Sequence, residues 1–215
     1  MAIGKRERNY KKIPEKINDA INTIKSNFKR LHHEIKRGIA GKNKGIPMGF
    51  NRLNNYIGIR KAMYYLIGGL TGSGKTSFID DAFVLNPFDW YYENAIKYKR
   101  TDIKLKIIYR SMERSRTYKL AKWLARKIYI DTGVEIQVSK LLGWGEDKLT
   151  PDELILIEKY EDYMDAMEKV VEIIDGAENP VGISKDLRKY AEENGTFKKI
   201  PYGEIYTPND ESIIT

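Results

Sequence analysis

The predicted fold is decided by one stretch of sequence, Gly69-Leu70-Thr71-Gly72-Ser73-Gly74-Lys75-Thr76-Ser77. It contains a glycine, four further residues and then Gly-Lys-Thr, which is the pattern of a phosphate-binding (Walker A) loop. Glycines let the backbone turn so that its N–H groups point at phosphate oxygens. Lys75 can then reach the terminal phosphates of a nucleotide, and the Thr76 hydroxyl can ligate Mg²⁺. All the residues of this stretch are candidate nucleotide-binding residues, and Thr76 is the candidate metal ligand.

The residues on both sides of the loop have the pattern that such a loop requires. Residues 62–67 form an apolar run of strand length before it. The apolar positions after it recur at helical spacing: Phe78, Ile79, Ala82 and Phe83. Asn86-Pro87 predicts the end of that helix. A strand, a glycine loop and a helix N-terminus together favour anion binding. The alternative is a glycine-rich turn that contains Lys-Thr by chance, and the flanking pattern disfavours it.

The composition excludes several classes of protein. The chain has 215 residues and no cysteine, so disulfides, thiolate metal sites and cysteine nucleophiles are excluded. No apolar run approaches the roughly 20 residues that span a bilayer. The first twelve residues are polar and basic, unlike a secretory signal. We therefore expect a cytoplasmic protein with no membrane partner.

The net charge of +8 is concentrated near the N-terminus, because residues 1–46 hold thirteen Lys/Arg and four Asp/Glu. A helix is predicted from about Pro14 to Arg37. Its apolar stripe has spacings of four and three: Ile17, Ile21, Ile24, Phe28, Leu31 and Ile35. The predicted organisation is a basic arm with an amphipathic linker helix over residues 1–45, followed by a nucleotide-binding domain over residues 46–215. The basic arm can contact nucleic-acid phosphates or another subunit, and the residues favour neither.

The rest of the chain alternates predicted strands and helices, which indicates an α/β fold. Strands are predicted at Lys104–Arg110, Val134–Val138 and Val170–Asp175. Helices are predicted through Leu120–Ile128, after the capping residue Thr150, and from the capping residue Ser184 to Asn194. Residues from Thr196 are predicted to be a loop until a last strand at residues 212–215.

Four segments, in this order, resemble the RecA-like ATPase domain of hexameric replicative DNA helicases of the DnaB type. Gly45–Leu53 (GIPMGFNRL) is similar to that family's GIPTGF..L segment, and the phosphate loop follows at the family's distance. Ile107–Ser115 (IIYRSMERS) resembles the strand that ends in SLEMS. The helix through Leu120–Ile128, and the segment from Ile174 to Arg188, also look like their family counterparts. The resemblance covers roughly residues 14–195.

The resemblance implies a fold and a reaction. The fold is a RecA-like P-loop NTPase core, a three-layer αβα structure with a preceding linker helix. The cofactors are ATP and Mg²⁺, and hydrolysis drives a hexameric ring of identical subunits along single-stranded DNA. Lys75, with Mg²⁺ at Thr76, would neutralise charge on the β- and γ-phosphates. Glu113 stands at the family's catalytic glutamate and would orient or deprotonate the attacking water. The alternative for Glu113 is an ordinary charged strand end.

The chain departs from the family at both ends. The primase-binding domain of bacterial members has no counterpart here. Compact bacteriophage members can have the same organisation, and a protein of that kind would be located in the host cytoplasm. In the family, the Walker B strand, the DNA-binding loops and the arginine finger follow the segment that matches Ser184–Asn194. We therefore expect the ATP-binding, N-terminal part of a longer helicase. Val170–Asp175 has the composition of a Walker B strand. By its place in the order of segments, however, it matches an earlier strand of the family.

Two alternative functions stay open at this stage. The chain could be another RecA-like ATPase of recombination or repair, which would form filaments on DNA without unwinding it. It could also be a non-catalytic nucleotide-binding module that assembles with a full-length helicase. The second alternative predicts nucleotide binding without turnover.

The apolar stripe of the linker helix leads to a first prediction. In the resembled family this helix packs on the adjacent subunit, so placing charged residues at Ile24 and Phe28 is expected to abolish oligomers. A charge cannot be buried against an apolar neighbour without a large desolvation cost. Sedimentation velocity measures the change, and unchanged sedimentation of the double variant would contradict the prediction.

Overall fold

The computed structural model describes residues 15–40, 44–60, 63–176, 179–209 and 213–214. Contacts divide the chain into two units, Met1–Gly45 and Ile46–Thr215. The basic residues before Glu15 lie outside the described residues. Among the helices that the structure describes, none is both long and apolar enough to cross a lipid bilayer.

The first unit contains one long helix, α1 (Glu15–Ile39), which confirms the helix predicted from about Pro14 to Arg37. The helix runs slightly beyond the expected end, because Gly38 lies inside its last turn. Phe28, Leu31 and Ile35 are 67%, 56% and 50% exposed. Ile17, Ile21 and Ile24 lie in the first half of α1, and their side chains are outside the described part. The second half of the apolar stripe is therefore accessible to a partner.

The second unit begins with the GIPMGF segment, which is anchored by buried residues. Ile46 and Met48 are each 2% exposed, and Ile46 forms an antiparallel bridge with Ile59. The short helix α2 (Asn51–Asn54) follows. Gly49 has a φ of 83°, and the Asn86 side-chain amide donates to the carbonyl of Met48 at 3.1 Å. The segment is thereby fixed to the helical stretch that follows the phosphate loop.

That helical stretch is continuous from Lys75 to Ile96. It comprises α3 (Lys75–Ile79), a π-helical segment (Asp80–Leu85), α4 (Asn86–Tyr91) and a second π-helical segment (Tyr92–Ile96). The prediction that the helix ends at Asn86-Pro87 is therefore wrong. Pro87 lies inside this continuous stretch and has no N–H to donate, and it directly follows the π-helical segment. Asn86 also donates its side-chain amide to the carbonyl of Asp81 at 2.7 Å.

The strands pair in three separate two-stranded sheets among the described residues. They are β1 (Lys104–Leu105), β2 (Ile107–Ser111), β3 (Val171–Asp175), β4 (Gly195–Ile200), β5 (Gly203–Pro208) and β6 (Ile213–Ile214). β2 and β3 are parallel, with Ile107 opposite Val171 and Ser111 opposite Asp175. β1 and β6 are parallel, and β4 and β5 form an antiparallel hairpin. The mixed α and β content is as predicted, and the three-layer RecA-like arrangement stays a prediction.

The remaining helices are α5 (Arg116–Thr132), α6 (Val138–Leu141), α7 (Pro151–Glu158), α8 (Glu161–Val170) and α9 (Pro180–Asn194). Thr150 caps α7 as predicted, in a reciprocal capping box with Glu153. α9 begins earlier than expected because Asn179 caps it, by accepting from the backbone N–H of Gly182 at 2.8 Å. Ser184 therefore lies inside the helix and is not its cap.

Three other expectations about the strands are wrong. Residues 63–67, before the phosphate loop, are not part of a strand. Residues 134–137 are irregular and Val138 begins α6, so no strand forms there. Residues from Thr196, expected to be a loop, form the β4–β5 hairpin.

The core packs the helical stretch after the phosphate loop, α5 and α8 against the β2–β3 pair. Its most deeply buried large side chains are Phe88, Trp123 and Met167. Val171 and Ile173 contribute from β3. This packing places the C-terminal end of β2 beside the helix that begins in the phosphate loop.

The close approach of Gly49 to Asn86 leads to a second prediction. A Cβ atom at Gly49 would lie 2.1 Å from Asn86 side-chain atoms, and its φ of 83° is unfavourable for any other residue. Gly49→Ala is expected to lower the free energy of unfolding by about 1–3 kcal/mol. Denaturant unfolding measures the loss.

Gly145→Ala is the matched control for Gly49→Ala. The nearest atom to a Cβ at Gly145 is 3.9 Å away, which is an ordinary contact. Its stability should stay close to that of the wild type. Equal stability of the two variants would contradict the prediction.

Candidate phosphate-binding site

The backbone of the glycine loop turns sharply just before α3. Gly72 and Gly74 have φ values of 78° and 84°, in the left-handed region that favours glycine. The N–H of Ser73 donates to the carbonyl of Leu70 at 3.2 Å. A Cβ at Gly69 would lie 2.7 Å from the Ser73 hydroxyl oxygen, so a side chain there would require the Ser73 side chain to move. The sequence pattern thus produces the predicted turn followed by a helix N-terminus.

The Lys75 ammonium lies against the loop itself. Its Nζ donates to the carbonyl oxygens of Gly69 at 2.9 Å and of Leu70 at 2.6 Å. Phosphate oxygens are charged and accept stronger hydrogen bonds from an ammonium than carbonyl oxygens do. The present contacts therefore keep the ammonium beside the glycine turn, from where it can transfer to a phosphate group.

Thr76 and Glu113 line the same cavity, which has a volume of about 190 Å³. Thr76 lies in α3 directly after Lys75, and Glu113 lies two residues beyond the end of β2. Glu113 is exposed to solvent. The structure thereby brings together the predicted metal ligand and the predicted catalytic carboxylate, which are separated by 37 positions in the sequence.

The turn that carries Glu113 is fixed by hydrogen bonds on both sides. The Ser111 hydroxyl donates to the carbonyl of Arg114 at 2.6 Å and accepts from its N–H at 3.3 Å. Ser115 caps α5 by accepting from the N–H of Tyr118 at 3.3 Å. The direction of the Glu113 side chain therefore depends on a short, well-connected turn.

Asp175 lies at the end of β3, directly beside Ser111 in the parallel register. Its Oδ2 accepts from the N–H of Arg116 at 2.6 Å, in the first turn of α5. The carboxylate thus satisfies a helix N-terminal donor and is favoured there by the helix dipole. This contact is structural, and the Walker B interpretation of the segment that Asp175 ends, in which this aspartate would be linked to Mg²⁺, stays a prediction.

The walls of the cavity include two arginines. Arg110 and Arg114 both line it. The Arg110 guanidinium pairs with Asp186 at 2.5 Å, and that of Arg114 lies 4.8 Å from the centre of the Tyr118 ring. Asp186 balances the charge of Arg110, so Arg110 adds little net positive charge at this cavity.

A buried polar cluster beside the cavity was missed from the sequence. Asp80 and Lys119 are each 2% exposed, and the Lys119 Nζ lies 3.1 Å from the Asp80 Oδ1. The Tyr109 hydroxyl donates to the same Oδ1 at 2.8 Å and accepts from Lys119 at 2.7 Å. Burial, together with the neighbouring Asp80 carboxylate, raises the pKa of Tyr109 well above its ordinary value. The cluster therefore keeps the phenol protonated.

A sequence signal for this cluster exists in retrospect. Asp80 is a charged residue between Ile79 and Ala82, inside a predicted apolar helix face. Lys119 similarly precedes the apolar positions of α5. Buried charges are paired as a rule, so a carboxylate and an ammonium on two apolar faces are candidates for each other.

Comparison with models of known protein families, with curated proteins and with solved structures finds no match to this chain. The likeness to replicative helicases therefore rests on the quoted motifs.

The burial of the Asp80–Lys119 pair leads to a third prediction. Asp80→Asn leaves the Lys119 ammonium buried without a full opposite charge. We expect a loss of about 3–5 kcal/mol in the free energy of unfolding, as for other buried pairs that lose one partner. Urea denaturation measures the loss.

Asp102→Asn is the matched control, because Asp102 pairs with Arg100 at 2.6 Å on the surface. Solvent screens that pair, so its loss should leave the unfolding midpoint nearly unchanged. A loss for Asp80→Asn as small as that of the control would contradict the prediction.

Proposed function

We propose that this chain is the Mg²⁺-dependent ATP-binding part of a replicative DNA helicase of RecA-like type, which couples ATP hydrolysis to movement along single-stranded DNA. The observation that supports the proposal best is the shared cavity of Thr76 and Glu113. A phosphate-loop threonine and an exposed carboxylate around one cavity are two of the protein groups that take part in metal-assisted attack of water on a phosphoryl group.

The residues of the site have separate roles in this proposal. The backbone N–H groups of the glycine loop and the N-terminus of α3 bind phosphate oxygens. The Lys75 ammonium exchanges the carbonyl oxygens of Gly69 and Leu70 for the β- and γ-phosphates. Mg²⁺ bound at Thr76 would add positive charge at the same oxygens. The donor set suits this ion, which is usually held by one or two protein groups together with phosphates and water.

Glu113 acts on the water in the proposed reaction. Its carboxylate is exposed at the cavity and follows a strand end, so it can accept a proton from a water placed between itself and the terminal phosphate. The turn that holds it is tied at Ser111 and Ser115 by hydrogen bonds. Arg114, which lines the same cavity, favours the negative charge that develops in the transition state.

The proposed contacts with other subunits and with DNA are made by other parts of the chain. The accessible stripe of α1 supports packing against a second copy, because an exposed row of large apolar side chains on one helix face suits an interface. A closed ring of identical subunits, expected to be a hexamer, then follows from repeated head-to-tail contacts. The basic N-terminal arm supplies charge for single-stranded DNA.

The experiment that tests this function is steady-state ATP hydrolysis with and without single-stranded DNA, together with Mg²⁺-ATP binding by calorimetry. Lys75→Ala is expected to reduce both binding and hydrolysis, with hydrolysis falling roughly 100-fold or more. Glu113→Gln should keep binding and lose turnover by roughly 100-fold or more. Lys148→Ala, at an exposed lysine away from the cavity, is the matched control and should behave as the wild type.

The outcomes separate the competing functions. DNA-stimulated turnover that Lys75→Ala removes supports the helicase proposal. Binding of Mg²⁺-ATP without turnover supports the non-catalytic module. If the wild type binds no Mg²⁺-ATP, nucleotide binding by this loop is refuted.

A further inference from the structure

The Asp80 carboxylate contacts both sides of the turn that carries Glu113. Tyr109, which precedes the turn on β2, donates to Oδ1 at 2.8 Å. Lys119, which follows the turn in the first half of α5, contacts Oδ1 at 3.1 Å and Oδ2 at 3.2 Å. The turn therefore begins and ends beside residues that are held by one carboxylate.

The same carboxylate belongs to the helical stretch that begins in the phosphate loop. Asp80 lies five positions after Lys75, where the α-helix changes to a π-helical segment. Lys122 forms a second link, since its Nζ lies 3.2 Å from the Asp80 Oδ2 and 3.4 Å from the Ser77 hydroxyl. The first turn of the loop helix is thus joined to α5 by charged hydrogen bonds.

Burial makes these links stiff. Asp80 and Lys119 are almost completely inaccessible, so water cannot replace either partner without opening the core. The Lys119 ammonium uses its three donors on Asp80 Oδ1, Asp80 Oδ2 and the Tyr109 hydroxyl. Its side chain is therefore occupied in holding neighbours and is not available to bind a ligand in the adjoining cavity.

We propose that Tyr109 and Lys119 are positioning residues, which fix the Glu113 turn to the phosphate-loop helix through Asp80. A ligand that orders the loop then also orders the Met112–Ser115 turn, and the carboxylate is aligned when the phosphates are bound. This inference rests on the proposed function, because its ligand is a Mg²⁺-nucleotide bound at the loop.

A second cluster of the same kind provides an internal control. The Tyr163 hydroxyl donates to the Asp89 Oδ1 at 2.7 Å, and the Lys127 Nζ lies 3.4 Å from the same oxygen. Lys127 lies 5.0 Å from the centre of the Tyr163 ring, compared with 4.9 Å for Lys119 and Tyr109. This cluster joins α4, α5 and α8, and none of its three residues lines the cavity of Thr76 and Glu113.

The experiment compares Tyr109→Phe with Tyr163→Phe, since each removes one phenol hydroxyl and keeps the ring. Amide hydrogen exchange is measured in the phosphate loop and over residues 112–118, with and without Mg²⁺ and a non-hydrolysable ATP analogue. The backbone N–H groups of Arg114, Arg116 and Tyr118 each donate a hydrogen bond, so their exchange is slow enough to follow.

In the wild type and in Tyr163→Phe, the analogue should slow exchange in both regions, by roughly fivefold or more at residues 112–118. In Tyr109→Phe, protection of the loop should remain and protection of residues 112–118 should be largely lost. If the Tyr109 hydroxyl had a purely structural role, Tyr109→Phe would lose stability as Tyr163→Phe does, and its response to the ligand would stay intact.

Two results would overturn the inference while leaving nucleotide binding in place. One is loop protection in the wild type without protection of residues 112–118. The other is a Tyr109→Phe response equal to that of Tyr163→Phe. If the analogue protects neither region in the wild type, the proposed nucleotide binding is refuted. This inference depends on that binding and is then refuted as well.

Discussion

The buried contact between Asp80 and Lys119 is the interaction on which the arrangement of this domain depends. Apolar packing around Phe88 and Trp123 supplies the driving force for folding, but it tolerates small shifts of helices against one another. A buried carboxylate is less tolerant, because each oxygen must keep its donors. With Tyr109, Lys119 and Lys122 all directed at it, Asp80 fixes the relative positions of the loop helix, β2 and α5. Desolvating these charges costs free energy, but their hydrogen bonds give the cluster a defined geometry.

α5 connects this cluster to the opposite side of the core. Lys119 and Lys127 lie about two helical turns apart, and each pairs with an aspartate of the helical stretch after the phosphate loop. Their long aliphatic stems add apolar contacts while the ammonium groups reach the carboxylates. Each pair also accommodates a tyrosine, from β2 in one case and from α8 in the other. One helix thereby holds the strand that leads to Glu113 and the helix that precedes β3.

Features that are determined by neighbouring residues can be predicted from the sequence, whereas features that depend on residues far away along the chain cannot. Glycines, Lys75 and Thr76 specify a turn and a helix start by their own chemistry, and Thr150 specifies the start of α7 in the same way. Residues 63–67 have the apolar composition of a strand, but a strand also needs a hydrogen-bonding neighbour. Met63 and Tyr65 instead line an apolar cavity of about 500 Å³ together with Ile107.

Asn86-Pro87 predicts a helix end from local rules, but π-helical turns and the Asn86 side chain let the helix continue. The Asp80 cluster joins residues 39 positions apart, so local patterns show two charged residues beside apolar helix positions but not that they pair with each other.

The two carboxylates at the strand ends differ in their surroundings. Glu113 and Asp175 both stand at the C-terminal edge of the parallel β2–β3 pair, where functional groups commonly collect. Asp175 accepts a hydrogen bond from the first turn of α5, so part of its charge is already used in stabilising that helix. Glu113 is exposed at the cavity that it shares with Thr76. A carboxylate that acts on water must be accessible and must face the reacting group. Asp175 is exposed as well, so the two differ in position: Glu113 lines the cavity of Thr76, whereas Asp175 holds the first turn of α5.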